Sequence, residues 1–324
     1  WTGTGSARSI TGYNFSPDWV WIKSRSFSTN HRLLDTVRGA TKELYSSTTD
    51  AETTQTQSLT AFNSDGFSLG TLSTVNQSNS TFVGWAWDAG SSTVTNTDGS
   101  ISSQVRANPT AGFSICKITN PSSDTVYTFG HGLNAVPKFI IYRIYDQSSV
   151  WWVHSAELGA NKYLYLHATN AVATNNYVFN NTAPTNSVIT NYASNANHLN
   201  EGRDMIYYCF APVANYSSMG SYTGNGSSSD GTFVFTGFRS KWIMIKVTSA
   251  TNNWVIYDTE RDTYNASDAE LYPDTSGAEN TSGPIDILSN GFKQRNAHNH
   301  LNQNGQTYIY MAFAENPFSL ARAR

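Results

Sequence analysis

The sequence predicts an all-β chain of tandem antiparallel β-sandwiches, jelly-roll or lectin-like, and three observations lead there. The composition mixes strand formers with turn formers: 13% of the residues are aromatic, and Ser, Thr, Asn and Gly separate short apolar runs. Helical periodicity is scarce; HRLLDTVRGATKEL (31–44) comes nearest, and Gly39 inside it argues against a long helix. Apolar strand-like segments also recur at fixed intervals. An immunoglobulin-like sandwich is the alternative topology.

The recurrence rests on two anchors. PDWVWIK (17–23) returns as PKFIIYR (137–143) and SKWIMIK (240–246), while TFVGWAWDA (81–89) returns in the same order as DMIYYCFAP (204–212) and TYIYMAFAE (307–315). Between first and third copies Trp19, Ile22, Lys23, Asn30, Asp35, Thr36 and Arg38 match Trp242, Ile245, Lys246, Asn253, Asp258, Thr259 and Arg261, each 223 residues on. NSDGFSL (63–69) answers LSNGFKQ (288–294); the middle copy diverges most, with VHSAELG in place of LLDTVRG and IYDTERD. Repeats of about one hundred residues are too long for solenoid units and suit small sandwiches.

Three divergent repeats are therefore expected at 1–90, 112–216 and 217–324, with the polar, turn-rich 91–111 as a linker between the first two. WTGTG at 1–5 resembles YTGNG at 222–226, so the first repeat is expected to begin after its first strand. Each repeat reads as a strand, a turn, a doubly apolar strand, a DTxR-type strand end, a polar excursion, a Gly-Phe hairpin and a final apolar strand.

In a strand, alternate residues share a face. Trp19 and Trp21 therefore lie on one face and Val20 and Ile22 on the other, so neither face suits water. Burying each such side chain is worth roughly 1.5–3 kcal/mol, and something must cover the second face: a long loop of the same repeat, a neighbouring repeat, or another subunit. That demand predicts a homo-oligomer, with three copies the leading stoichiometry.

Composition and motifs exclude several function classes. A net charge of −3 with no basic block gives no electrostatic footprint for nucleic acid. No apolar run approaches the ~20 residues of a helical membrane span. Cys116 and Cys209 lack CxxC spacing and read as two small buried thiols, a single disulfide being the alternative. His131, His154, His167 and His198 are scattered and accompany no GxSxG or HExxH signature, and the glycines at 3, 5 and 12 lack the GK[ST] ending of a phosphate loop. No catalytic residue and no cofactor is predicted.

Three local patterns remain. In the DTxR elements, Asp35 with Arg38 and Asp258 with Arg261 read as structural bends: the Asp bonds backbone amides ahead of it, and the Arg pins the turn. Asp258, Glu260 and Asp262 alternate as a carboxylate row would, yet Arg261 beside them suggests a solvated bend; Glu201 and Asp204 point to opposite faces. His298 and His300 share a face if extended and form a candidate metal pair, although a polar hairpin is preferred because no carboxylate lies nearby in sequence.

The combination WVWIK, LLDTVRG, SDGFSLG and FVGWAWDAG, with a late IYMAFAENPF and a terminal RAR, resembles tandem domains in structural proteins of marine tailed phages, cyanophage-like in particular. The resemblance implies a non-enzymatic virion protein of tail-fibre or spike type, located at the particle surface or tail, with head decoration as an alternative. It implies other virion proteins as partners and a host-surface glycan as a further one. It carries no functional residue over. A glycan-binding module of a secreted adhesin or polysaccharide-active enzyme is the competing expectation, and a glycosidase or lyase the third.

Overall fold

The structure, a computed structural model, describes residues 1–194 and 201–317. It is an all-β assembly of antiparallel sheets paired face to face. The first group of strands comprises β1 (Arg8–Thr11), β2 (Trp19–Ser24), β3 (Arg32–Asp35), β4 (Lys42–Tyr45), β5 (Thr53–Thr54), β6 (Leu59–Asn63), β7 (Gly66–Leu69) and β8 (Phe82–Trp87). They form a β5-β4-β3-β2-β8 sheet and a β1-β7-β6 sheet, with Val20, Ile22, Leu34, Leu59, Phe67 and Leu69 in one core between them.

The second group contains β9 (Thr93–Asn96), β10 (Ser103–Asn108), β11 (Phe113–Thr119), β12 (Thr125–Gly130), β13 (Phe139–Ile144), β14 (Trp152–Ser155), β15 (Lys162–Tyr165), β16 (Ala173–Thr174), β17 (Val188–Ala193) and β18 (Asp204–Phe210). Its sheets are β16-β15-β14-β13-β18-β11-β10-β9 and the pair β12-β17. The third group contains β19 (Ser217–Thr223), β20 (Phe233–Phe235), β21 (Ser240–Val247), β22 (Trp254–Asp258), β23 (Ser267–Glu270), β24 (Asn280–Leu288), β25 (Gly291–Gln294) and β26 (Thr307–Ala314), in sheets β19-β26-β21-β22 and β20-β25-β24-β23.

The recurring segments are the central strands of the three groups. β2 lies between β3 and β8, β13 between β14 and β18, and β21 between β22 and β26. Registers agree residue for residue: Val20 faces Ala86, Ile140 faces Cys209 and Ile243 faces Ala312. Cys209 thus stands where the other groups carry alanine, and Cys116 and Cys209 are both buried free thiols. The Gly-Phe pairs are hairpins for a steric reason. A Cβ on Gly66 would meet the Ile10 carbonyl oxygen at 2.0 Å, and one on Gly291 would meet that of Val234 at 2.1 Å.

The second apolar face is covered by the other groups of the same chain. Trp19, Trp21, Trp85 and Trp87, then Phe113, Phe139, Ile141, Tyr208 and Phe210, then Trp242, Met244, Met311 and Phe313 share one continuous core. At its centre meet three register-equivalent aromatics, Trp87, Phe210 and Phe313. Their ring centroids are 6.4 Å (Trp87–Phe210), 5.8 Å (Trp87–Phe313) and 5.9 Å (Phe210–Phe313) apart, all edge to face, the arrangement aromatic quadrupoles favour. The three residues hold corresponding places beside Trp19, Phe139 and Trp242. Of the covers expected for the second apolar face, a neighbouring repeat of the same polypeptide is the one observed.

The same backbone clasp holds each junction. Glu52 N donates to Tyr145 O and Ser149 N to Thr49 O, both at 2.8 Å; Val172 N donates to Thr248 O at 2.8 Å and Asn252 N to Thr169 O at 2.9 Å. The ring closes where Glu279 N donates to Arg25 O at 2.9 Å and Thr29 N to Ser276 O at 2.8 Å. The polar excursion of each group thus clasps a strand end of the next.

The stretch 91–111 is corrected from a linker to sheet. β9 and β10 pair with each other, and β10 extends the second group's sheet along β11. Arg106 of β10 also reaches the buried Asp18 of the first group, Nε to Oδ1 2.6 Å. Few residues there are apolar because β9 is a solvated edge, and edge strands are commonly polar.

Candidate functional site

Asp35 ends β3, and its Oδ1 accepts the amides of Val37 at 3.1 Å and Arg38 at 2.8 Å. Its Oδ2 takes the Arg38 Nε at 2.6 Å and the Tyr208 hydroxyl, from the second group, at 2.8 Å. Asp258 ends β22 in the same way: Oδ1 accepts Glu260 N at 3.1 Å and Arg261 N at 2.9 Å, while Oδ2 takes Arg261 Nε at 2.5 Å and Trp85 Nε1, from the first group, at 2.8 Å. Burial would raise the Asp258 carboxyl, but Arg261 and the hydrogen bonds to it hold it below the usual carboxylate range. The bends are junction devices as well as turns.

Register shows why the middle repeat lacks the motif. Ser155 occupies the place of Asp35 and Asp258, and Leu158 that of the two arginines. The cyclic counterpart of Tyr208 and Trp85 is Met311, which has no hydrogen to donate. Acceptor, arginine and donor are absent together at one junction, and apolar packing replaces them. A second ring is built from indoles: Trp151 Nε1 donates to Tyr45 O at 2.7 Å and Trp254 Nε1 to Tyr165 O at 2.8 Å. Their counterpart, His31, lies beside the Tyr272 backbone and accepts Trp21 Nε1 on Nδ1 at 2.8 Å. Burial depresses the His31 ring well below its ordinary range, so it stays neutral.

The remaining candidates do not converge on a reaction centre. Glu260 is turned to solvent beside Lys241, apart from the buried Asp258. The His298 and His300 rings are 5.5 Å apart, and His300 Nε2 lies 3.0 Å from the buried Glu270 Oε1. Glu270 also takes the Tyr257 and Tyr272 hydroxyls, each at 2.5 Å. Among the described residues no group of three His, Cys, Asp or Glu side chains is placed to hold a metal ion. The carboxylate missing from the sequence neighbourhood of the pair is thus supplied from β23, thirty residues away, which local spacing could not show.

A groove of about 720 Å³ runs along β8. β8 ends its sheet, so one of its backbone edges lines the groove. Trp1 and Phe82 close one end, rings stacked at 5.7 Å, and Trp242, Phe313 and Pro317 form the other. The Tyr13 hydroxyl donates to Gly84 O at 2.9 Å. A Cβ on Gly84 would meet the Trp1 ring at 3.0 Å, the Tyr13 hydroxyl at 3.2 Å and the Phe67 ring at 3.3 Å. The equivalent positions carry Tyr207 and Tyr310, so these three side chains fill the space a tyrosine fills elsewhere. At the mouth, Arg25 pairs bidentately with Glu279 at 2.9 and 2.7 Å, and Arg261 reaches the same carboxylate at 2.8 Å. Burial pushes the Glu279 carboxyl up, and the two arginines more than reverse it.

A family model described as a domain of unknown function, DUF7483, matches residues 1–317. The chain belongs to the DUF7483 family. No curated protein and no solved structure matches it. The DUF7483 match runs through all three groups of strands as one unit, in keeping with a core they share. Sequence reasoning singled out the bends and the histidine pair of this DUF7483 chain but not the groove. The available signal was WTGTG, whose likeness to YTGNG already set Trp1 at a strand end.

Proposed function

We propose that the chain is a non-enzymatic structural component of a phage particle, part of a tail fibre or spike at the particle surface. One observation carries this reading: the residues best suited to chemistry are spent inside the fold. Asp35, Arg38, Asp258 and Arg261 are nearly fully buried, and their charges and hydrogen bonds tie one group of strands to the next. Motifs shared with the phage-like domains, WVWIK, LLDTVRG and FVGWAWDAG, are the segments that build this body, so the resemblance is one of scaffold. A rigid body with one central aromatic core suits a load-bearing appendage.

Mass spectrometry of purified particles tests the proposal. Abundant peptides of this chain, at a copy number fitting a tail appendage, are expected; their absence from virions overturns it. Incubation with marine and bacterial polysaccharides should release no more reducing ends than a heat-inactivated control. Turnover abolished by Asp258→Asn or Glu260→Gln would overturn the non-enzymatic part.

A further inference from the structure

The three junctions share their backbone clasp but differ in one cross-strand pair, a cation opposite a ring. Lys23, Arg143 and Lys246 hold equivalent places on β2, β13 and β21, and opposite them stand His31, Trp151 and Trp254. At two junctions both members of the pair reach into the neighbouring group. Arg143 donates to Thr49 O at 3.0 Å and Asp50 O at 2.6 Å, and Lys246 to Thr169 O at 3.0 Å. The two indoles donate to Tyr45 O and Tyr165 O. At the third-to-first junction both members are altered. The Lys23 ammonium turns back to Ser24 O of its own strand at 2.7 Å. His31, fully buried, lies beside the backbone of Tyr272, the register counterpart of Tyr45 and Tyr165, and spends Nδ1 on the Trp21 indole.

That bond fixes the state of the ring. To accept the indole hydrogen Nδ1 must be bare, so the imidazole is neutral with its hydrogen on Nε2. A second proton would sit on Nδ1 and point at the Trp21 donor. The surroundings oppose that proton too: burial most, then Lys23 from β2 and Arg261 from the third group, with the Tyr272 backbone offsetting only part. Lys23, drawn down to about 8 by burial, is still charged in acid. The carboxylates of the junction are already engaged. Glu279 is taken by Arg25 and Arg261, Asp258 by Arg261 and Trp85, and Glu43 of β4 by Arg32 on the opposite face of β3. His31 is a buried base without a counter-ion, set where the other junctions carry indoles, which do not titrate.

We propose that the third-to-first junction is an acid-operated latch: a proton taken up by His31 breaks its bond to Trp21 and frees the 272–279 excursion from the first group, while the other two junctions stay shut. The proton is accommodated in the open state, where the ring meets water and titrates near ~6.5. Above that value neither state gains a proton and the latch stays closed. Below it the open state binds a proton that the closed state refuses, so opening grows about tenfold for each pH unit. His167, beside the Trp151 amide, is only half-buried, so it can take up a proton where it stands and calls for no opening.

Amide hydrogen exchange on the whole chain, corrected for the pH dependence of the chemical step, reads each junction separately. The Thr29 and Glu279 amides make the clasp at this junction, Glu52 and Ser149 make it at the first-to-second, and Val172 and Asn252 at the second-to-third. From pH 6 to pH 5 the opening constants at Thr29 and Glu279 should rise about tenfold. Those at the other four amides should change by less than about twofold over the same step. His31→Gln keeps an acceptor and a donor without a titrating ring, and should abolish the rise at Thr29 and Glu279. Should that variant fold poorly, the comparison of the three junctions in the unaltered chain decides. An equal rise at all three junctions, no rise at Thr29 and Glu279, or a rise that survives in His31→Gln overturns the proposal.

Discussion

At the residue scale, Trp87 is the side chain on which most depends, since it meets its equivalents from both other groups and also packs edge to face on Trp242 at 5.5 Å. Trp87→Ala should cost about 3–5 kcal/mol, the usual loss for a buried tryptophan, as measured by urea unfolding. A loss under about 1 kcal/mol would mean the aromatic triad is not a centre of stability. Asp274 offers a test by pH. Burial pushes its carboxyl up to about 7, in spite of the Trp254 amide and nearby Lys246, whereas an unfolded Asp titrates near ~3.9. The folded state keeps its proton between these values while the unfolded chain loses it, so this group lowers stability as pH rises from about 4 to 7. Asp274→Asn should remove that part of the slope, gaining about 3 kcal/mol over the parent at pH 7.5 relative to pH 4.5. Equal differences at both pH values would rule it out.

At the element scale, the bends couple strands that are far apart in sequence. A double-mutant cycle on Asp258→Ala and Trp85→Phe should show a coupling of about 0.5–3 kcal/mol, and Asp35→Ala with Tyr208→Phe the same. A cycle on Ser155 and Met311, the equivalent positions at the third junction, should show almost none. This is also where the sequence was partly legible. The doubly apolar strands and the turns at Asp35 and Asp258 follow from local rules: alternation for the strands, an Asp accepting amides ahead of it for the turns. The partners Tyr208 and Trp85 each lie 173 residues from their aspartate, and nothing local names them. The clue was the joint loss of Asp, Arg and donor at one junction, which has meaning only once the cyclic order of the groups is known. β9 and β10 stayed hidden because solvated edge strands share the polar composition of a loop.

At the scale of the whole molecule, the sandwich cores of the three groups are separate but the central core is common to all. Unfolding one group would strip cover from the other two, so heat denaturation should be a single transition with equal calorimetric and van't Hoff enthalpies. Three resolved transitions would show that the groups are held together only weakly. The expected appendage role fits a body that yields all at once or not at all.

Closing the ring with the Arg25–Glu279 contact, between residues 254 apart, sets an order in time. During synthesis at roughly 5–20 residues per second, the first group waits on the order of ten seconds or more for the strands that will seal its tryptophan face. For that interval the most apolar surface of the chain has no permanent cover, and contacts of such long sequence separation form slowly in any case. Nascent chains halted after residue 216 should therefore clump or bind chaperones, and release to full length should end it. The shared centre that makes the finished body firm makes its assembly a race against self-association.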